Sequence, residues 1–206
     1  MVLLDQNNYR NYVTLPDTIL KKHEEGKISH AHFSDVLRLT LLSTYGGAWI
    51  DATVFISQNI PEDVFSDAFY TLKTESPNVV YYSKSRWCGY FLAGNKDFLL
   101  FSFARDLLIA HWERADYLID YLLMDYVFGI ACKYCPEVEK TVNDLPDNNT
   151  KRGYLMNTIN EPYSKESFES LTNNDTFAFK LSWRYGNPKA QTEKGELSNY
   201  GYILSL

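Results

Sequence analysis

The sequence predicts a single α/β domain. Three observations carry that expectation. The run Ala48–Ser57 (AWIDATVFIS) is β-branched and aromatic and is bounded by turn residues, which is the signature of a strand. Residues 29–45 and 97–114 carry apolar side chains near helical spacing. Strand-like and helix-like segments alternate along all 206 residues, without internal repeat, low-complexity tract or clear linker.

Taken in order, Val2–Asp5 is expected to form a short buried strand ending in an acid. Pro16 is expected at the first position of a helix that runs to about Glu25 and is ended by Gly26. Ser29 is the expected N-cap of a second helix reaching Tyr45. Its apolar stripe is Ala31, Phe33, Val36, Leu37, Leu41 and Leu42, and Gly46-Gly47 is its stop signal. The strand 48–57 follows. Shorter strands are expected at 69–73, 79–83 and 88–93, then helices at 97–114 and 116–132. Residues 141–163 read as loop, 165–171 as a short helix, 176–181 as a strand, and 186–201 as a polar, mobile loop.

Composition excludes several functions. A net charge of −6 argues against nucleic acid, whose phosphates need clustered Lys and Arg. No apolar run approaches the roughly 20 residues that span a bilayer. Met1-Val2-Leu3-Leu4 meets Asp5 at once, with no basic region before it, so no signal peptide is expected. The expected location is the cytoplasm, with room for peripheral association at the inner face of the membrane. The cysteines are Cys88, Cys132 and Cys135, an odd and low count that suits a reducing compartment. Cys132 and Cys135 form a C-x-x-C after a long apolar helix and without a second pair, so they are expected to be partly buried thiols. Aromatic residues reach 16%, which suits stacking on sugar C–H faces but equally suits a Tyr-rich core.

The chemistry concentrates between Ser34 and Thr53. Asp35 and Arg38 are three apart on one helix and share a face. The chain then turns through Gly46-Gly47 into a strand carrying Asp51 among apolar residues, where a carboxylate is costly unless paired or bound to a cation. An Asp/Arg pair can grip sugar hydroxyls, the acid accepting and the guanidinium donating in fixed geometry. A strand-end carboxylate can hold a divalent cation that offsets the charge of a departing diphosphate. Each feature alone has a plain structural reading, as a surface ion pair or a helix cap. Their close order is what points to a site. The four histidines, His23, His30, His32 and His111, show no metal-ligand spacing, and His32, one helical turn before Asp35, is the best placed.

The run HFSDVLRLTLLSTYGGAWIDATVF (32–55) resembles the S-D-x-x-R…Y-G-G-x-x-x-D-x-D core of glycosyltransferase family 32 and its relatives, closest to the capsular polysaccharide synthesis branch. Weaker similarity continues through WCGYFLAGNKDFLL (87–100), ADYLIDYLL (115–123) and FKLSW (179–183). The resemblance implies a GT-A-like, Rossmann-like fold and retaining transfer of a hexose from a UDP- or GDP-sugar to a glycan acceptor. It implies that Asp35 and Arg38 contact the donor sugar, and that Ser34, Tyr45, Gly46 and Gly47 belong to the donor site. It makes Asp51 the first acid of a D-x-D motif holding Mn²⁺ or Mg²⁺, with Thr53 where the second acid would stand, a neutral and weaker ligand. Ser182 and Trp183 match a segment that closes over the diphosphate, and Asp120 matches an acid in a long helical segment. Family members open with a β-α-β unit for base and ribose. Here the chain opens at the strand expected over 2–5, so 1–206 is expected to be one domain covering the C-terminal two-thirds of that fold.

A non-catalytic remnant, or a module that binds sugar or a partner, is the alternative that the missing unit and Thr53 motivate. A metal-dependent hydrolase would need a His-rich or multi-carboxylate cluster, and none is seen.

Overall fold

The computed structural model describes residues 1–74, 82–172, 175–182 and 186–206. It is a mixed α/β structure, and every strand pairing among the described residues is antiparallel. After a 3-10 turn at Tyr9–Asn11 come α1 (Asp17–Glu24), α2 (His30–Tyr45), β1 (Gly47–Ile50) and β2 (Val54–Ile56). Next are α3 (Asp63–Ser66), β3 (Phe69–Thr71), β4 (Phe91–Gly94), α4 (Leu99–Arg114) and α5 (Leu123–Tyr134). The chain closes with α6 (Pro136–Asp144), α7 (Tyr154–Asn157), α8 (Lys165–Thr172), β5 (Ala178–Lys180) and α9 (Asn199–Leu204).

The second helix forms as its caps direct. Ser29 is extended and its hydroxyl accepts from His32 N at 3.4 Å, while Gly46 at φ 68° ends the helix. Pro16 immediately precedes α1 rather than occupying its first turn.

The long strand expected at 48–57 is two strands in two sheets. β1 pairs with β4, with Gly47 opposite Gly94 and Ile50 opposite Phe91, and β3 lies on the far side of β4. β2 pairs instead with β5, with Val54 opposite Lys180. Residues 51–53 form the corner, closed by Val54 N donating to Asp51 O at 2.9 Å. The alternation of side chains that one continuous strand would impose across 49–55 is therefore interrupted at Asp51.

Four further expectations change. Residues 2–5 form no strand; Val2 and Leu3 are exposed, because no neighbouring strand pairs with them. Residues 115–122 are not helical. Asp116 is drawn aside by Lys22 at 2.9 Å and Lys27 at 3.1 Å, and Asp120 turns the chain by accepting from Leu122 N at 2.8 Å. Within 141–163, α6 persists to Asp144, started by Pro136 with Glu137 and Glu139 in its first turn. The tail is pinned: Ser198 is bridged to Pro162, its hydroxyl accepts from Gly201 N at 3.0 Å to cap α9, and Tyr202 stacks on Tyr163 at 3.9 Å. Of the strand expected at 79–83, residues 79–81 lie outside the described residues, and 82–83 form a turn.

The core of the described residues has three parts. The first joins α1, α2, α4, α5 and α6 around Leu39, Phe101, Trp112 and Phe128. The second lies under β3 and β4 around Tyr70, Leu72, Phe91 and Phe177. The third joins β2 and β5 to α7, α8 and α9 around Leu155, Ile159, Phe168 and Phe179. No helix among the described residues is long and apolar enough to cross a membrane.

Candidate functional site

A cleft of about 1640 Å³ is lined by residues of α2, the β1–β2 corner, the 83–90 segment, the start of α5 and the end of β5. That exceeds the roughly 300–1,000 Å³ of a typical small-ligand pocket and leaves room for two reactants.

Arg38 organises its floor. It is 6% exposed. Its Nη1 lies 3.4 Å from Asp35 Oδ1, one turn back on α2, and donates to the Gly89 carbonyl. Its Nη2 donates to Ser34 Oγ at 3.3 Å and to Asp51 Oδ1 at 3.4 Å. The guanidinium also lies over the Trp49 ring, 5.4 Å from its centroid. Its Nε is buried and has no hydrogen-bond partner among the described residues.

The corner places Asp51 opposite Arg38. Its backbone N donates to Tyr90 O at 2.9 Å, and its Oδ1 also accepts from Trp49 Nε1 at 2.8 Å. Burial holds the Asp35 carboxyl above the usual carboxylate range; Arg38 and His32 draw it back down, and Asp51 raises it. His32 is buried, with its ring between Ser29 Oγ at 2.7 Å and Tyr121 O at 3.3 Å, so it ties α2 to the 115–122 segment.

Ser34, Asp35, Arg38, Tyr45, Gly46, Asp51 and Thr53 all line the cleft. Tyr45 is exposed, and its hydroxyl donates to Tyr12 O at 2.6 Å. The Gly46-Gly47 pair serves the backbone: a Cβ on Gly46 would stand 2.9 Å from Gly94 O and 2.9 Å from Lys96 N. Ser182 follows β5 and is half-buried. Trp183 lies outside the described residues. Asp120 is exposed on the turn before α5 and does not reach the cleft.

Three polar residues in the cleft wall were not among the sequence candidates. Asp125, on α5, accepts from Trp87 Nε1 at 2.6 Å. Burial pushes its carboxyl up, with the Trp87 bond lowering it, nearby Asp35 raising it and Arg38 lowering it. Lys180, at the end of β5, donates to Thr53 Oγ1, and its Nζ lies 3.9 Å from Asp51 Oδ2 and 5.0 Å from the centre of the Tyr90 ring. Burial lowers this ammonium below the usual lysine range, and Asp51 pulls it back up. Arg152 is tied to the same strand by Lys180 N donating to its carbonyl at 2.7 Å, and its Nη1 is buried without a partner among the described residues. The only sequence signal for Lys180 was its place in the FKLSW segment.

As placed, Asp51 and Thr53 do not fit a divalent cation. Asp51 Oδ1 is taken by Trp49 and Arg38, and an ammonium occupies the approach to Asp51 Oδ2 and Thr53 Oγ1. Among the described residues no group of three or more His, Cys, Asp or Glu could hold a metal ion. The cysteines are free; burial pushes the Cys88 and Cys132 thiols up, away from reactivity.

A family model described as capsular polysaccharide synthesis protein matches residues 1–200. No curated protein and no solved structure matches the chain.

Proposed function

The chain belongs to the capsular polysaccharide synthesis protein family, and from that premise we propose that it is a glycosyltransferase of surface-polysaccharide synthesis. It takes a hexose from a UDP- or GDP-sugar and transfers it, with retention, to a hydroxyl of a glycan acceptor. A GT-A-like arrangement belongs to this reading.

The observation that carries the reading is the Arg38 cluster: one buried guanidinium spanning Ser34, Asp35 and Asp51 on the floor of a single large cleft. Sugar hydroxyls need both donors and acceptors held in fixed directions, and this cluster offers both. Asp35 accepts from the donor sugar, and Arg38 donates to it and fixes the two carboxylates. In transfer, the bond from the anomeric carbon to the β-phosphate oxygen breaks and its electron pair leaves with the diphosphate. The acceptor oxygen forms the new bond, and its proton passes to water. Positive charge near the departing phosphate lowers that barrier.

The test is calorimetric titration of UDP and of GDP into the full chain, with mass-spectrometric detection of donor-sugar consumption. One of the two diphosphates is expected to bind and its sugar conjugate to be consumed, and Arg38→Ala is expected to slow donor-sugar consumption about tenfold or more, the loss of a charge-assisted hydrogen bond to the sugar. A folded chain that binds neither nucleotide and consumes no donor would point instead to a non-catalytic sugar- or partner-binding protein.

A further inference from the structure

Position 53 is Thr, and the residue that meets its hydroxyl is Lys180 from a strand far along the chain. This contact uses one ammonium proton and leaves the charge uncancelled, because Thr53 is neutral. An acid at 53 would have neutralised Lys180. Asp51 approaches the same ammonium only at 3.9 Å and is shared with Arg38, which Asp35 also flanks. Arg152, whose carbonyl accepts from Lys180 N and whose side chain hydrogen-bonds Tyr90, also lines the cleft, with a buried Nη1 that finds no acceptor among the described residues. The buried Arg38 Nε likewise finds none. Guanidinium N–H groups buried without acceptors are costly.

We infer that Lys180, facing Arg38 across Asp51 in a cleft that Arg152 also lines, stands where a divalent cation would otherwise act, and that it binds the donor's diphosphate directly without metal. The inference rests on the glycosyltransferase reading and specifies its leaving-group chemistry. The ammonium stays protonated throughout. It donates to a phosphate oxygen as the bond to the anomeric carbon breaks and that oxygen takes the electron pair. No redox change and no further co-reactant are involved. Burial already lowers Lys180 below the ordinary lysine range, and a bound phosphate would restore the charged form.

The experiment is titration of UDP and of GDP into the full chain, once with EDTA and once with Mn²⁺. The variants are Lys180→Gln and Lys180→Arg, each checked for folding by circular dichroism. Wild-type affinity is expected to be the same in EDTA and in Mn²⁺. Lys180→Gln is expected to weaken binding roughly ten- to a hundredfold in both, and Lys180→Arg to recover most of the loss. Nucleotide binding that vanishes in EDTA and returns with Mn²⁺ would overturn the inference while leaving the glycosyltransferase reading intact. Lys180→Gln binding like wild type would do the same. Binding of neither nucleotide in any arm would remove both. The wild-type comparison needs no variant, so it decides the matter even if Lys180→Gln does not fold.

Discussion

Asp35 is the residue whose ionisation most directly links the site to stability. Its folded-state pKa is raised, chiefly by burial, so the native protein holds the proton more tightly than the unfolded chain. Stability therefore falls as pH rises from the ordinary carboxylate value through the raised one, and is level above it. Asp35→Asn cannot ionise, so its melting temperature should gain on wild type as pH climbs through that window, while donor binding weakens. Asp125, also raised, sits in both proteins and adds its own slope to each. Thermal melts over a pH series test this. A difference between variant and wild type that stays constant with pH would show that Asp35 ionises as it does in the unfolded chain.

At the scale of the element, the α2–β1 junction makes a sharper demand than its two glycines suggest. Both have positive φ, 68° at Gly46 and 83° at Gly47, but only Gly46 faces backbone within 3 Å of an added Cβ. Gly46→Ala should cost about 2–5 kcal/mol, the sum of left-handed strain and overpacking against Gly94 and Lys96. Gly47→Ala meets open space and should cost about 1–2 kcal/mol from strain alone. Urea denaturation of the two variants separates them, and equal losses would contradict the close approach. The same junction explains what could be read from the sequence. Ser29, the stripe of α2, and Ser34, Asp35 and Arg38 were legible because capping and helical spacing act within a turn or two. The break at Asp51 was not, because AWIDATVFIS keeps strand propensity throughout and the split depends on pairing with two different strands, β4 and β5. The helix expected from 116 was displaced by ion pairs to Lys22 and Lys27, about ninety residues earlier. Lys180 and Asp125 carry no local signal for the same reason: each joins the cleft only through tertiary contacts, to Thr53 and to Trp87.

Across the whole molecule, the site draws on separate cores. Arg38 is carried by α2 in the first, whereas Lys180 follows Phe179, a fully buried member of the third. Phe179→Ala should cost about 3–5 kcal/mol and also weaken nucleotide binding under conditions where the chain is still folded. Val142→Ala, in α6 of the first core and away from the cleft, should lower stability and leave affinity unchanged. Denaturation midpoints set beside calorimetric affinities test the pair. If both variants bind like wild type, β5 is held by more than the third core. The Thr53–Lys180 contact spans 127 residues, and that distance has a kinetic meaning. Closing so long a loop brings an entropic cost that local contacts do not share, so the Ser34–Arg38 half of the cleft can form early while its far wall comes late. A chain emerging from the ribosome N-terminal end first has Arg38 long before Lys180. If both residues hold the donor as proposed, a nascent or interrupted chain that stops short of Lys180 is kept from sequestering nucleotide sugar.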